Sequence, residues 1–213
     1  HRDLHSFPTR RSSDLDAIQS GECYADSLDA ERCLEKLGRN TQISIPDAFQ
    51  VCRENNSRGI VILGDPGSGK TTHLKRLLLW ALSEDHEIMG LPAGIIPLFL
   101  PLRELKNSNI KKFIYDRMAD TGLEMNEEFT DRLLAHYPVL LLFDGLDEIQ
   151  NTTIRVEVAR NISRFMTGRS NLYAAVTCRF AGYTATARLD NEFMELHLRP
   201  LTREQAREFI RTW

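Results

Sequence analysis

The apolar positions of this 213-residue chain follow two patterns, short unbroken runs and longer segments with an apolar residue every three or four positions. The runs are typical of buried parallel strands, and the longer segments are typical of helices that pack one face against a sheet. The predicted strands cover 60–63, 95–100, 139–143, 172–177 and 193–198, and the helices after the first strand cover about 70–83, 110–119, 126–136 and 153–167. Because strands alternate with helices, we predict an α/β fold with helices on both faces of a central, mainly parallel, five-stranded sheet.

Two of these strands have features that predict their place in the sheet. Pro97 and Pro101 interrupt and end the strand at 95–100. Proline lacks the N–H that sheet pairing needs, so this strand is expected at an edge. The run Val139-Leu140-Leu141-Leu142-Phe143 is the most apolar of the strands, which predicts a position at the centre of the sheet.

The two ends of the chain have weaker patterns. Residues 16–56 are predicted to form a helical lead-in, with helices over 27–37 and 46–55 and a loop or short strand at 40–45. Residues 1–15 have no periodicity and resemble translated sequencing-adapter sequence, so they are interpreted as a non-native leader, with a disordered basic tail as the alternative. A capping box at Thr202-Arg203-Glu204-Gln205 opens a further helix, so 57–200 is interpreted as the main domain and 201–213 as the truncated start of a helical subdomain.

A glycine-rich segment between the first core strand and its helix has the spacing of a phosphate-binding loop. The glycines let backbone N–H groups turn towards phosphate oxygens, and the helix N-terminus adds partial positive charge. Lys70 is expected to neutralise the β- and γ-phosphates of a nucleotide, and the Thr71 hydroxyl to hold Mg²⁺. The predicted nucleotide-binding residues are Gly64, Asp65, Pro66, Gly67, Ser68, Gly69, Lys70, Thr71 and Thr72.

The second half of the predicted site follows the most apolar strand. Asp144 ends that strand at the carboxyl edge of the sheet, where open α/β sheets bind ligands, and is expected to hold Mg²⁺ opposite Thr71. Gly145 occupies the position where many P-loop ATPases have a catalytic glutamate. Asp147 and Glu148 come shortly after it, and either carboxylate is a candidate for orienting the attacking water, with Glu148 favoured by its longer reach. The alternative is that both acids only stabilise the N-terminus of a following helix.

Arg179 comes just after the predicted strand at 172–177. A guanidinium at that strand end can form paired hydrogen bonds to a γ-phosphate and so report its presence, whereas a solvated surface arginine is the alternative. The predicted catalytic residues are Lys70, Asp147, Glu148 and Arg179, and the predicted metal ligands are Thr71 and Asp144.

The composition limits the partners that we expect. The net charge of −3 offers no basic footprint for gripping nucleic acid, although a local patch is not excluded. The four cysteines and six histidines form no metal-binding motif, and the cysteines are interpreted as small buried residues in a reduced compartment. No apolar run is long enough to cross a membrane. We therefore expect a cytoplasmic protein without a membrane partner.

Taken together, the motifs resemble the NACHT domain of the STAND class of signalling P-loop NTPases, and bacterial members most of all. The resemblance begins at Ser57 and rests on the phosphate-binding loop with its strand and on the Asp144-Gly145-Leu146-Asp147-Glu148 segment, whose small second residue and two later acids mark the family. The segments 96–105, 177–179 and 196–202 also match. The resemblance implies a three-layer P-loop NTPase fold and indicates that the chain is a fragment of a longer protein.

The same resemblance implies a function. Members of this class hold ADP in a closed resting state, exchange it for Mg²⁺–ATP when a sensor domain meets its trigger, and then oligomerise. Bacterial members are associated with defence, including defence against phage. The chain is therefore expected to be an adenine-nucleotide switch that hydrolyses ATP slowly. The alternative function is a working ATPase of the AAA+ kind that remodels proteins or loads nucleic acid.

Overall fold

The computed structural model describes residues 17–19, 42–45, 47–55, 57–83, 90–120, 126–190, 192–198 and 207, with the backbone alone described at 17–19 and 42. The predicted helix over 27–37 lies outside these residues. So does the predicted helix after Thr202, apart from Arg207, whose backbone is helical.

One sheet contains every strand in the described part of the chain. The strands are β1 (Ala17–Gln19), β2 (Gln42–Ile43), β3 (Gly59–Leu63), β4 (Ile96–Pro101), β5 (Val139–Asp144), β6 (Leu172–Cys178) and β7 (Phe193–Leu198). The α-helices are α1 (Ala48–Glu54), α2 (Lys70–Leu82), α3 (Ile110–Ala119), α4 (Glu127–His136) and α5 (Thr152–Met166), and short 3₁₀ turns cover Leu102–Glu104, Leu146–Glu148 and Phe180–Gly182. The strand order is β2-β1-β7-β3-β6-β5-β4.

The five predicted strands are confirmed as β3 to β7, and they run parallel to one another. The short strands β1 and β2 extend the sheet beyond β7 in antiparallel orientation, so the described part of the lead-in contributes strands as well as the helix α1. The sequence did not predict this extension clearly, because strands of two or three residues are too short to show a periodicity.

The predicted positions of two strands had different outcomes. The proline-containing strand β4 lies at the edge of the sheet, as predicted. The prediction that Val139–Phe143 lies at the centre is wrong, because β5 is second from that edge and β6 lies between it and β3. Apolar character reports burial on both faces, and helices cover the faces of this strand as fully as those of its more central neighbours. Apolar character therefore does not indicate how close a strand lies to the centre of the sheet.

Side chains of β3 show how the layers form. Ile60 and Ile62 belong to the apolar cluster that packs against α1 and α2. Val61 and Leu63 belong to the cluster that packs against α3, α4 and α5 on the opposite face. The buried sheet therefore lies between two layers of helices, which confirms the predicted three-layer α/β fold. Because β3 ends at Leu63, the loop that follows it lies at the carboxyl edge of the sheet.

Two cysteines lie within the described residues, and both are buried free thiols. Burial raises the pKa of Cys52 and of Cys178 to about 12. Both fit the predicted role of small buried residues, while Cys23 and Cys33 lie outside the described ranges. Of the helices that the structure describes, none combines the length and the apolar character needed to cross a membrane.

Candidate nucleotide-binding site

The loop between β3 and α2 depends on its glycines. Gly67 and Gly69 adopt left-handed backbone conformations, with φ of 78° and 87°. A Cβ added to Gly64 would lie 2.5 Å from Oγ of Ser68, so no larger residue fits there without a shift. The glycines of the sequence motif are therefore the residues that this loop conformation requires.

The N-terminus of α2 differs from those of α3, α4 and α5. Each of those three helices begins at an asparagine whose side chain accepts a backbone N–H: Asn109 from Lys112 at 3.0 Å, Asn126 from Phe129 at 2.8 Å, and Asn151 from Ile154 at 3.1 Å. Among the described residues, no side chain caps α2, which begins after Gly69. Its first-turn N–H groups therefore have the arrangement that binds an anion.

The Lys70 side chain crosses the loop that precedes it. Its Nζ donates to the carbonyl oxygens of Gly64 and Asp65 at 2.8 Å each, and lies 3.4 Å from Oγ of Ser68. Burial lowers the pKa of Lys70, while the nearby Asp147 carboxylate raises it and the Arg179 guanidinium lowers it. Lys70 thus lies within electrostatic range of two other predicted site residues, which belong to different loops.

Thr71 and Asp144 meet across the top of the sheet. Thr71 lies in the first turn of α2, and its Oγ1 is 3.0 Å from both Oδ1 and Oδ2 of Asp144, the last residue of β5. A hydroxyl beside a carboxylate is the kind of oxygen pair that Mg²⁺ prefers. The chemistry of this donor set would therefore fit a magnesium ion between the loop and the strand end.

Thr177 completes this arrangement, and the sequence did not indicate its role. The residue is only 1% exposed. Oγ1 donates to Oδ1 of Asp144 at 2.7 Å and accepts the backbone N–H of Gly145 at 2.7 Å. Because β6 lies between β3 and β5, a residue near its end is next to both halves of the site. A threonine in a strand is unremarkable in a sequence, so only the strand order reveals this contact.

Replacing Thr177 with valine should loosen Asp144, because valine keeps the shape and removes the hydroxyl. We expect a loss of about 1–3 kcal/mol in unfolding free energy, since the buried Gly145 N–H loses its acceptor. We also expect the ratio of nucleotide affinity with Mg²⁺ to affinity without Mg²⁺ to fall by about tenfold, as is usual when a group supporting a metal ligand is removed. Calorimetric titration with and without Mg²⁺ measures this. Thr177→Ser keeps the hydroxyl and is the control, and equal Mg²⁺ dependence in both variants would contradict the role.

Asp147 and Arg179 form an ion pair at the neighbouring strand end. Nε of Arg179 lies 3.0 Å from Oδ2 of Asp147, and the backbone N–H of Arg179 donates to Oδ1 at 2.9 Å. The Asp147 side chain is 12% exposed and the Arg179 side chain 51%. A Cβ added to Gly182 would lie 2.4 Å from Cβ of Asp147, so the absence of a side chain at 182 makes room for the pair. Both carboxylate oxygens of Asp147 are therefore used to hold Arg179.

Glu148 has different surroundings. It is exposed, and its carboxylate has no hydrogen-bond or ion-pair partner among the residues that the structure describes. The turn that carries it is fixed from outside, because Arg155 donates to the carbonyl oxygens of Asp147 at 3.3 Å and Ile149 at 2.7 Å. Of the two acids that the sequence leaves as alternatives, Asp147 is engaged and Glu148 remains accessible.

The other predicted binding residues are exposed to solvent, two in the loop and Thr72 in the first turn of α2. Asp65, Pro66 and Thr72 are exposed, and the Asp65 carbonyl accepts both the Lys70 ammonium and the Ser68 N–H. All of the predicted site residues thus fall in the described part of the chain, at the carboxyl edge formed by β3, β5 and β6.

Comparisons with known proteins bear on the fold and the family of the chain. Solved structures that are similar to the chain include the Aeropyrum pernix ORC1 protein in complex with DNA (16% identity, TM-score 0.52, covering 89% of this chain and 49% of that chain). They also include the Aeropyrum pernix ORC2 protein in ADPNP–ADP complexes (16%, 0.50, 95% and 55%) and Drosophila ORC bound to DNA (19%, 0.49, 85% and 45%). The chain spans about half the length of these structures, and at such identities the first two likenesses show the fold alone. A search of curated proteins finds no match. The family model described as "NACHT domain" matches residues 58–213. The chain therefore belongs to the NACHT family of P-loop NTPases.

Proposed function

We propose that this NACHT domain is a nucleotide-dependent switch that binds ADP and Mg²⁺–ATP and hydrolyses ATP slowly. The observation that carries the proposal is the meeting of two separate strand ends, where Oγ1 of Thr71 lies 3.0 Å from both carboxylate oxygens of Asp144. The main chain of 64–72 and the Lys70 ammonium would bind the phosphates, and Thr71 and Asp144 would hold Mg²⁺. When bound, Mg²⁺ supplies charge neutralisation at the β- and γ-phosphates.

Slow hydrolysis is assigned to Glu148. Its carboxylate is exposed at the strand end, while both oxygens of Asp147 are occupied by Arg179. Glu148 would accept a hydrogen bond from a water molecule and orient it towards the γ-phosphorus. The water oxygen would form a bond to that phosphorus while the bond from phosphorus to the bridging oxygen breaks, and one water proton would pass to Glu148 and then to solvent, which leaves ADP and inorganic phosphate. Asp147 is a positioning residue in this scheme and keeps Arg179 at the site.

The switch requires a group that distinguishes ATP from ADP, and Arg179 fits this need. Asp147 holds one edge of its guanidinium through Nε, and half of the side chain is exposed. A guanidinium has further N–H donors that can bind phosphate oxygens. Only ATP offers a γ-phosphate, so only ATP would gain these contacts. A nucleotide shifts a conformational equilibrium by no more than such a difference in binding, which is typically about 1–3 kcal/mol.

A second candidate function is a working ATPase of the AAA+ kind that loads nucleic acid or remodels proteins. It is favoured by the likeness in fold to the ORC1 protein, which was solved in complex with DNA. The likeness to the ORC2 protein in its ADPNP–ADP complexes supports adenine as the base for either function. The net charge of −3 favours the switch, in which nucleic acid is not the main partner.

From the resemblance to the family, we propose that the switch acts in the cytoplasm, in bacterial defence or signal transduction. We further propose that it self-oligomerises in response to an unidentified trigger ligand.

Calorimetry on the full 213-residue chain tests the switch. We expect binding of both ADP and Mg²⁺–ADPNP, and we expect Arg179→Ala to weaken ADPNP binding by roughly 5- to 150-fold while ADP affinity changes less than about twofold. Arg160→Ala, an exposed arginine on α5, is the matched control. Absence of heat with either nucleotide would refute nucleotide binding. Turnover above about one per second, or strong stimulation by DNA, would favour the working ATPase.

A further inference from the structure

We propose that Gly145 is a positioning residue that, by lacking a side chain in a left-handed turn, lets the Glu148 carboxylate lie back against the end of β5. The inference rests on the proposed function, because it assigns Gly145 a task in the hydrolysis attributed to Glu148. It concerns this chain's own geometry and predicts where a side chain at 145 would send that carboxylate.

The Glu148 side chain lies close against Gly145, in the space where a side chain at residue 145 would begin. Gly145 has φ of 78° and ψ of 58°, a left-handed conformation that disfavours a side chain. A Cβ added there would lie 2.8 Å from Cδ, 2.9 Å from Cγ and 3.2 Å from Oε1 of Glu148. Carbon atoms that are not bonded to each other do not approach this closely, so the Glu148 side chain occupies the space that a Cβ would take.

Two hydrogen bonds hold the backbone of Gly145 in this conformation. Its N–H donates to Oγ1 of Thr177 at 2.7 Å, and its carbonyl oxygen accepts the Glu148 N–H at 3.0 Å. The Glu148 side chain, by contrast, is exposed and has no hydrogen-bond partner in the described part of the chain. When a Cβ is introduced at residue 145, we therefore expect the Glu148 side chain to move and the backbone of the turn to keep its conformation.

This contact gives a physical reason for glycine directly after Asp144. A glutamate at 145 would project from the strand end itself, but a glutamate at 148 returns to it only after a tight turn. The returning side chain lies where a Cβ of residue 145 would be, so residue 145 must lack a side chain for Glu148 to take this position. Gly145 then serves the same chemistry by leaving space.

Two glycines with nearly equal φ angles allow a matched experiment. Gly168 has φ of 76° and lies between α5 and β6, at the opposite edge of the sheet, and no described atom lies within 4 Å of its added Cβ. Alanine at either position imposes left-handed strain, but only at 145 does it displace Glu148. Asparagine tolerates the left-handed conformation, so Gly145→Asn and Gly168→Asn test the displacement with little strain.

We expect both alanine variants to lower the melting temperature by a similar amount, about 2–8 °C. We expect ATP turnover to fall by about 100-fold in both Gly145 variants and in neither Gly168 variant. ADP affinity should stay within about twofold in all four, because the phosphate-binding loop is untouched. Equal turnover in the Gly145 and Gly168 variants, or equal losses in both pairs, would overturn the inference.

A double-mutant cycle tests whether Gly145 acts through Glu148. In a Glu148→Gln background, Gly145→Asn should cause no further loss of turnover, because the carboxylate that it displaces is already gone. Additive losses would overturn the inference.

A crystal structure of Gly145→Asn gives a readout without nucleotide. Cδ of Glu148 should have left its place beside residue 145, and an unchanged side chain would overturn the inference. If the wild-type chain binds nucleotide without measurable turnover, the proposed hydrolysis fails, and this structure still decides the positioning role.

Discussion

Lys70→Ala is expected to weaken the binding of ADP and of Mg²⁺–ATP by at least about 100-fold, because the variant loses charge-assisted hydrogen bonds of roughly 1.5–3 kcal/mol each. The ammonium is held over the loop by the carbonyl oxygens of Gly64 and Asp65. It is therefore already close to the place where main-chain N–H groups would bind phosphate. The substitution would remove the positive charge that the proposed site places on the phosphates.

The same substitution should leave the fold nearly intact. The carbonyl oxygens that Lys70 contacts lie in a partly exposed loop, and water can replace the ammonium as their donor. Lys75→Ala, an exposed lysine on the same helix, is the matched control for a general loss of charge. Isothermal titration calorimetry gives the affinities, and thermal unfolding verifies the fold. Equal affinity for ATP in the Lys70 variant and the wild type would contradict the phosphate-binding role of the loop.

Asp144→Ala is expected to abolish the dependence of ATP binding on Mg²⁺. In the wild type, affinity measured with Mg²⁺ should exceed affinity measured in a chelator, because Thr71 and Asp144 would hold the metal between the loop and β5. Removal even of groups that support metal ligands typically costs about 10- to 100-fold in metal affinity, so loss of the carboxylate itself should cost at least as much. The variant should then bind ATP equally weakly in both conditions.

The control for this prediction separates metal binding from folding. Asp144 also accepts a hydrogen bond from the buried Thr177, so its loss leaves a hydroxyl without an acceptor. Asp144→Asn keeps an oxygen acceptor for Thr177 and removes the charge, and it should lose Mg²⁺ dependence with less change in melting temperature. Asp116→Ala, an exposed position on α3, controls for net charge. A variant that retains full Mg²⁺ dependence would move the metal to other residues.

The elements that could be predicted from the sequence are those with local signals. Strand β3, the loop and α2 are contiguous in the sequence, and each has a recognisable local pattern: an apolar run, a glycine spacing and a helical periodicity. The position of a strand within the sheet was not local information: residues 139–143 of β5 are apolar because helices cover both faces of the strand, yet β6 lies between β5 and β3. The contact between Thr177 and Asp144 depends on this strand order, so the threonine by itself did not indicate a role in the site.

The pair between Asp147 and Arg179 shows the same limit from the other side. Both residues were candidates, but they are 32 positions apart, and nothing in the chain between them indicates contact. Only the parallel pairing of β5 with β6 brings their loops together. Asp147 and Glu148 are adjacent in sequence and of like charge, so the sequence left them as alternatives, whereas the 3₁₀ turn gives their side chains different neighbours.

The pairing of β1 with β7 affects how shortened versions of the chain would behave. β1 covers the outer margin of β7 by pairing Ala17 with Leu198 and Gln19 with Leu196. A chain trimmed past residue 19 would expose the main-chain donors and acceptors of a strand that carries Met194, Leu196 and Leu198, which is a template for adhesion between molecules. Aggregation of such a product would come from the exposed edge of β7. It could be mistaken for the functional oligomerisation of a signalling protein.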